Sequence, residues 1–259
     1  MTAVVSARTE TPGACSTRSA VLLTFRDPVG YREAWSLQQQ FHAERVRGSL
    51  ADTLLLLQHL PVYTAGRRTK TVHFKPDVGV RGDSDVPTIT VNRGGSVTYH
   101  GPGQLVGYPI LALSRYASGA KHYVRMLEEV LIRTLRTWDI SGYRLANTPG
   151  IWVRDERGEA KIASIGARID RGVTLHGFAL NVSTDLIPFS RIVPCGLEGC
   201  RMTSMVENKI TQVSIDVVAE ELATMFSSVF QVEWTHSFPD GLIQEVMKAG
   251  FPGFPPGQS

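Results

Sequence analysis

Four glycines and a proline fall within twelve residues, Arg93-Gly94-Gly95-Ser96-Val97-Thr98-Tyr99-His100-Gly101-Pro102-Gly103-Gln104, and the segment lies between two apolar runs. Glycine tolerates positive φ and lets backbone N–H groups approach a ligand closely. The Arg, Thr, Tyr, His and Gln side chains add donors and acceptors beside that bare backbone. Such a segment packs poorly as core, so it reads either as a wall of a ligand site or as an ordinary glycine-rich turn. Its spacing is neither Gly-x-Gly-x-x-Gly nor a P-loop, so a nucleotide cradle is not indicated.

The rest of the chain divides into strands and a few helices. Residues 1–19, rich in Thr, Ser, Ala and Arg without apolar period, read as a disordered leader. Residues 20–25 form a buried strand that Asp27-Pro28 breaks. Residues 31–47 carry Ala34, Leu37, Phe41 and Val46 at helical spacing and end at Gly48. Residues 53–59 are an apolar strand covered on both faces. Residues 63–86 read as a long polar connection holding Arg67, Arg68, Lys70 and Lys75, either functional or a solvated loop. Residues 87–91 lead a strand into the glycine segment, and 105–113 lead one out. The clearest helix spans 121–138, where Tyr123, Leu127, Val130, Leu131, Leu135 and Trp138 share a side. A strand at 151–154 precedes a turn. Residues 160–169 and 173–182 then pair as a hairpin about Asp170-Arg171-Gly172. A second amphipathic helix spans 214–230, followed by a short one near 242–249.

Strands outnumber helices and do not alternate regularly with them, which predicts an α+β fold: a mixed sheet with helices packed against it. The expected organisation is a large lobe over 20–181, a smaller C-terminal lobe over 182–250 carrying Cys195, and a flexible tail over 251–259. A net charge of +3 gives no argument for a nucleic-acid partner, and no apolar run reaches the ~20 residues that span a bilayer. The N-terminus lacks a basic start followed by an apolar stretch, so no signal peptide is expected. Cys15, Cys195 and Cys200 have no framework spacing, which predicts free thiols in a reducing cytoplasm.

Two residues stand out as chemistry. Cys195 is flanked by Pro194 and Gly196, hence on a turn where backbone N–H groups can face its sulfur; it is either a reactive thiolate or an inert turn cysteine. The Cys195/Cys200 pair has neither a second pair nor a nearby histidine to complete a zinc site, so no metal is expected. Lys161 opens a strand otherwise built of Ile, Ala and Gly, and either blunts a sheet edge or aims an ammonium inward. His59, His100 and His176 read as hydrogen-bonded residues near the core, and a Cys/His pair competes with Cys/Lys.

Taken together, Arg93 to Gln104, then Lys161-Ile162-Ala163-Ser164-Ile165-Gly166, then His176-Gly177-Phe178-Ala179-Leu180-Asn181-Val182, then Pro194-Cys195-Gly196 resemble, in order, the blocks of the lipoate-biosynthesis octanoyltransferases. Pro61-Val62-Tyr63-Thr64, Gly66-Arg67 and Pro149-Gly150-Ile151-Trp152-Val153 add to that likeness. It covers about residues 22–230, with small departures at Leu60 and Ala65. The resemblance implies a fold like that of biotin and lipoate protein ligases. It also implies transfer of an octanoyl group from acyl carrier protein to a lysine of a lipoyl domain, without a cofactor. The acceptors it implies are lipoyl domains of 2-oxoacid dehydrogenase complexes and the glycine cleavage H protein. It implies Cys195 as the acylated nucleophile and Lys161 as its activator and acid/base. The acyl site would be lined by Arg93, Gly94, Gly95, Ser96, Val97, Thr98, Tyr99 and His100, by Ser164, Ile165 and Gly166, and by Gly177, Phe178 and Ala179.

Elementary energetics agree. An ammonium ~4 Å from a thiolate at effective dielectric ~20 is worth roughly 4 kcal/mol, so one lysine suffices without a histidine. Burying an eight-carbon chain at ~0.8 kcal/mol per CH₂ offers roughly 5 kcal/mol, enough to select chain length. Arg67, Arg68 and Lys70 would dock an acidic carrier protein. The rival readings are an ATP-dependent lipoate or biotin ligase, a Cys195/His100 thioester hydrolase, and a non-enzymatic acyl-binding module.

Overall fold

The run Thr53–Leu57 is buried at every position, with Leu54 and Leu56 in the core on one side of a sheet and Leu55 and Leu57 in the core on the other. This period-two alternation under two apolar layers sets the architecture. The computed structural model describes residues 18–75, 86–208, 210 and 213–235. In chain order the strands are β1 (Arg18–Thr24), β2 (Thr53–Leu57), β3 (Val62–Ala65), β4 (Thr88–Thr90), β5 (Val97–His100), β6 (Gln104–Ile110), β7 (Tyr143–Leu145), β8 (Thr148–Asp155), β9 (Gly158–Asp170), β10 (Val173–Asn181) and β11 (Val232–Thr235). The helices are α1 (Tyr31–Arg47), α2 (Ala120–Arg136) and α3 (Ile215–Phe230).

Eight strands form one mixed sheet in the order β11-β1-β2-β6-β10-β9-β8-β7. β1 runs parallel to both of its neighbours, and the remaining pairs are antiparallel. α2 and α3 cover one face, burying Tyr123, Leu127, Leu131, Phe226 and Phe230 against Leu54, Leu56, Ile151, Ile162 and Leu180. α1 covers part of the other face, where Ala34, Leu37 and Phe41 meet Leu23, Leu55, Leu57, Val106 and Ile110. Gly48, at φ 81°, ends α1 in the left-handed conformation. The α+β class and the mixed sheet expected from the sequence are what the fold shows.

Three differences matter. The polar stretch at 63–86 is not irregular throughout: β3 occupies its start and joins β4 and β5 in a second, three-stranded sheet. Residues 76–85 lie outside the described residues, as do residues 1–17, the helix expected near 242–249 and the tail. Arg18 and Ser19, expected in the leader, already belong to β1 and pair with Val232 and Glu233. The boundary expected near Asn181 is crossed by two elements: α3 shares a core with α2, and β11 extends the large sheet beside β1.

One irregularity places the chemistry. Across β8 and β9, Ile151 pairs with Ala163 and Trp152 pairs with Lys161, so Ile162 is an extra residue on β9. Ala160 and Ile162 face the α2 side, and past the bulge Ala163 faces it too. The alternation has shifted by one, which puts Lys161 and Ser164 on the same, opposite face.

Candidate active site

Lys161 is 2 % exposed, although its residue type is almost never buried without partners. Its backbone is held between Arg201 and Thr203: its N–H donates to Arg201 O at 2.8 Å, and its carbonyl accepts from the Thr203 N–H at 3.0 Å. The side chain crosses Gly150, where a Cβ would sit 2.6 Å from Lys161 Cε and where φ is +121°. Only glycine supplies both the space and that conformation. At the end of its stem the Lys161 ammonium donates to Pro149 O at 2.8 Å and to Cys195 Sγ at 3.4 Å. The Ser164 hydroxyl stands 3.8 Å from the same sulfur, and the Trp152 ring lies 5.5 Å from the ammonium.

Cys195 sits at φ 59°, between Pro194 and Gly196 at φ 70°, two consecutive left-handed residues on a tight turn. A non-glycine residue held there is strained and persists only because its surroundings fix it. Here the Val193 N–H donates to His73 O at 2.8 Å, Phe74 bridges to Ile192, and the Gly196 N–H donates to Val193 O at 2.9 Å. A Cβ on Gly196 would come 3.0 Å from His73 Cε1 and 3.2 Å from Ser96 Cβ, so the turn needs glycine to close on its neighbours. Burial, and secondarily the charge of Cys195, push the Cys200 thiol up to about 11, which keeps it protonated.

The pair opens into a cavity of about 450 Å³ between the large sheet and the β5 loop, within the size range of small-ligand sites. Of the residues expected there, Arg93, Gly94, Gly95, Ser96, Thr98 and His100 line it, as do Ser164, Ile165, Gly166, Gly177, Phe178 and Ala179. Val97 and Tyr99 do not. β5 alternates, so Ser96, Thr98 and His100 face the cavity while Val97 and Tyr99 pack with Tyr63, Phe189 and Ile192 behind it. Sequence alone did not single out Tyr31, His73, Tyr108, Asn147 and Thr148, which also line it. A buried tyrosine at the start of an amphipathic helix carries no signal that it faces a ligand.

The histidines are bonded elsewhere. His100 Nδ1 lies 2.6 Å from Gln104 Oε1, and its other nitrogen faces Thr64 Oγ1 at 3.4 Å. Burial, with the nearby charges of His59 and Arg93, holds it well below the usual histidine range and therefore neutral. Burial also lowers His59 to about 4 and His176 to about 3. At the mouth, the Ser96 hydroxyl lies 2.6 Å from His73 Nδ1. The Arg93 guanidinium, itself buried, donates to Thr64 O at 2.6 Å and to Gly94 O at 3.0 Å, tying the glycine segment to β3. Backbone N–H groups that could serve an oxyanion are partly committed: those of Gly196, Leu197 and Gly94 already donate to Val193, Pro194 and Ala167 carbonyls. Arg68 and Lys70 line the mouth and, with Arg67, lie toward solvent. Among the described residues no helix is long and apolar enough to cross a membrane.

Comparison with known proteins gives the family and the fold. The family model for the lipoyl protein ligase A/B catalytic domain matches residues 30–227. The octanoyltransferase of Thermobifida fusca is 48% identical over 182 residues, covering 69% of this chain and 75% of that protein. That of Chloroflexus aurantiacus is 43% identical over 206 residues, covering 79% and 92%. Among solved structures, the bi-partite lipoate protein ligase of Thermoplasma acidophilum superposes with a TM-score of 0.66 at 18% identity, over 90% of this chain and 92% of that one. Lipoate-protein ligase A bound with ATP gives 0.65 at 18% identity, over 90% and 94%. The fold is thus that of lipoate protein ligases, and the chain belongs to the lipoyl protein ligase A/B catalytic-domain family, among its octanoyltransferases.

Proposed function

We propose that this chain is an octanoyltransferase of protein lipoylation. In this reading it takes an octanoyl group from the thioester of acyl carrier protein and delivers it to a lysine of a lipoyl domain, through an acyl-thioester on Cys195. The observation that carries this reading is the Lys161 ammonium donating to the Cys195 sulfur at 3.4 Å at the end of the cavity. The Cys195 thiolate attacks the donor carbonyl. A carbon–sulfur bond forms to Cys195, and the donor's carbon–sulfur bond breaks. The departing thiolate takes a proton from Lys161. The acceptor amine then attacks the acyl-thioester, its excess proton passes to the now neutral Lys161, and the Cys195 thiolate leaves. Both residues return to their starting state, so no net proton stays on the protein.

The acceptors under this reading are lipoyl domains of 2-oxoacid dehydrogenase complexes and the glycine cleavage H protein, in the cytoplasm. An ATP-dependent ligase on the same fold would adenylate a free acid and would need no nucleophilic cysteine. The Cys195/His100 hydrolase reading is disfavoured by the bonds of His100 to Gln104 and Thr64. Intact mass after mixing with octanoyl-carrier protein tests the proposal. The expected result is a gain of one octanoyl group that Cys195→Ser abolishes; turnover that depends on ATP would overturn it.

A further inference from the structure

The Pro149–Gly150 peptide is bonded at both ends. Its carbonyl, Pro149 O, accepts from the Lys161 ammonium at 2.8 Å. Its N–H, on Gly150, donates to Glu128 Oε1 at 3.3 Å. Glu128 comes from α2, one turn after Val124, which lines the cavity; Glu128 itself lies outside the lining and is 7% exposed. Its other oxygen, Oε2, accepts from Arg144 Nε at 3.1 Å.

The peptide is available for these bonds because the strand pairing slips there. Along β7 and β8, Leu145 pairs with Thr148 but Arg144 pairs with Ile151, so Pro149 and Gly150 have no partners on β7. In a trans peptide the C=O and N–H point in opposite directions. A carboxylate on the N–H therefore turns the oxygen toward the ammonium. The arrangement runs carboxylate, peptide dipole, ammonium, sulfur, with each dipole aligned favourably.

Gly150 also makes this peptide easy to turn the wrong way. Glycine has no Cβ to resist rotation, and φ at Gly150 is already +121°. A rotated peptide would present N–H to an ammonium, which repels it.

We infer that Glu128 is the positioning residue of the Lys161–Cys195 pair, acting through the Pro149–Gly150 peptide. It neither touches the sulfur nor lines the cavity. Its role rests on the reading of Cys195 as a nucleophile served by Lys161.

The test is the rate at which iodoacetamide alkylates Cys195 at pH 7, followed by peptide mass in the full chain, with no acyl donor present. Lys161→Ala sets the slow reference. Glu128→Leu keeps the volume and removes the acceptor; it is expected to slow alkylation at least tenfold, toward that reference. Glu128→Gln keeps an acceptor for Gly150 and is expected within about threefold of wild type. Arg144→Met removes the ion pair but leaves the Glu128–Gly150 bond, and is also expected within about threefold. Should Glu128→Leu fail to fold, Glu128→Asp takes its place, because it keeps the charge but withdraws the oxygen from Gly150. A folded Glu128→Leu or Glu128→Asp protein that alkylates at the wild-type rate overturns the inference. So does Arg144→Met slowing as much as Glu128→Leu, which would assign the effect to the ion pair. Wild-type alkylation in Lys161→Ala would instead overturn the reading of the pair itself, so the two failures are distinguishable.

Discussion

Lys161 and Ser164 stand three residues apart on one strand, and both side chains reach the same sulfur, at 3.4 and 3.8 Å. In a regular strand an odd separation sends two side chains to opposite faces. The extra residue at Ile162 reverses that, so the bulge rather than either side chain alone brings both groups to Cys195.

Lysine at this position is not interchangeable with arginine. The ammonium fits between Pro149 O and the sulfur as a compact donor, on a stem pressed against Gly150. A planar guanidinium needs a wider slot. Lys161→Arg and Lys161→Met are each expected to lower single-turnover acylation of Cys195 at least 100-fold while the circular dichroism spectrum stays native. Acylation by Lys161→Arg within tenfold of wild type would show that charge alone suffices.

The alternation along β5 separates selectivity from stability. Thr98 faces the cavity, so Thr98→Leu intrudes on it and is expected to shift preference toward shorter acyl chains, by about fourfold for each CH₂ excluded at ~0.8 kcal/mol. Val97 packs behind the strand. Val97→Ala is expected to cost about 1–2 kcal/mol in urea unfolding and to leave the chain-length profile unchanged. Rates with hexanoyl, octanoyl and decanoyl donors for both variants check the split.

Acid should unfold the protein early. His59 titrates near 4 and His176 near 3 in the folded state, against about 6.5 when unfolded, because burial disfavours the imidazolium. Between those values the unfolded chain binds more protons, so stability is complete above about pH 6.5 and declines as pH falls toward 4. Each tenfold loss of proton affinity on folding is worth ~1.4 kcal/mol, so His59 alone accounts for roughly 3 kcal/mol. Urea unfolding followed by tryptophan fluorescence at pH 7, 6 and 5 should show the midpoint falling at each step; equal midpoints at pH 7 and pH 5 would contradict the burial argument.

Charge at the mouth should matter for the protein donor more than for the chemistry. Arg68 and Lys70 border the cavity, with Arg67 alongside. Replacing the three with glutamine is expected to raise KM for octanoyl-carrier protein several-fold and to weaken its salt dependence, with kcat for a small octanoyl thioester within about twofold. A KM unchanged by the triple replacement would remove these residues from docking.

Much of this was legible in the residues themselves. Helical spacing located α1, α2 and α3, each to within two residues of the expected ends. Cys195 and Lys161, chosen because their neighbours made them unusual on a turn and on an apolar strand, are brought together. What escaped was tertiary. β7 is three residues long and β5 lies inside a glycine-rich stretch, so neither offers enough alternation to read. The bulge at Ile162 leaves no local trace, because Ile, Ala and Ser suit either register. Glu128, embedded in an ordinary helical face, acquires its partner Gly150 only when α2 packs on the sheet.

The parallel pairing of β1 with β11 has a consequence for synthesis. Arg18 lies opposite Val232, more than two hundred residues later in the chain. As the nascent polypeptide leaves the ribosome, β1 can dock on β2 but must wait with its outer edge bare until Cys195 and all the rest of the cavity lining have been translated. Closing that edge is among the last steps of assembly, and until then the growing chain exposes a template for pairing with its neighbours on the same messenger.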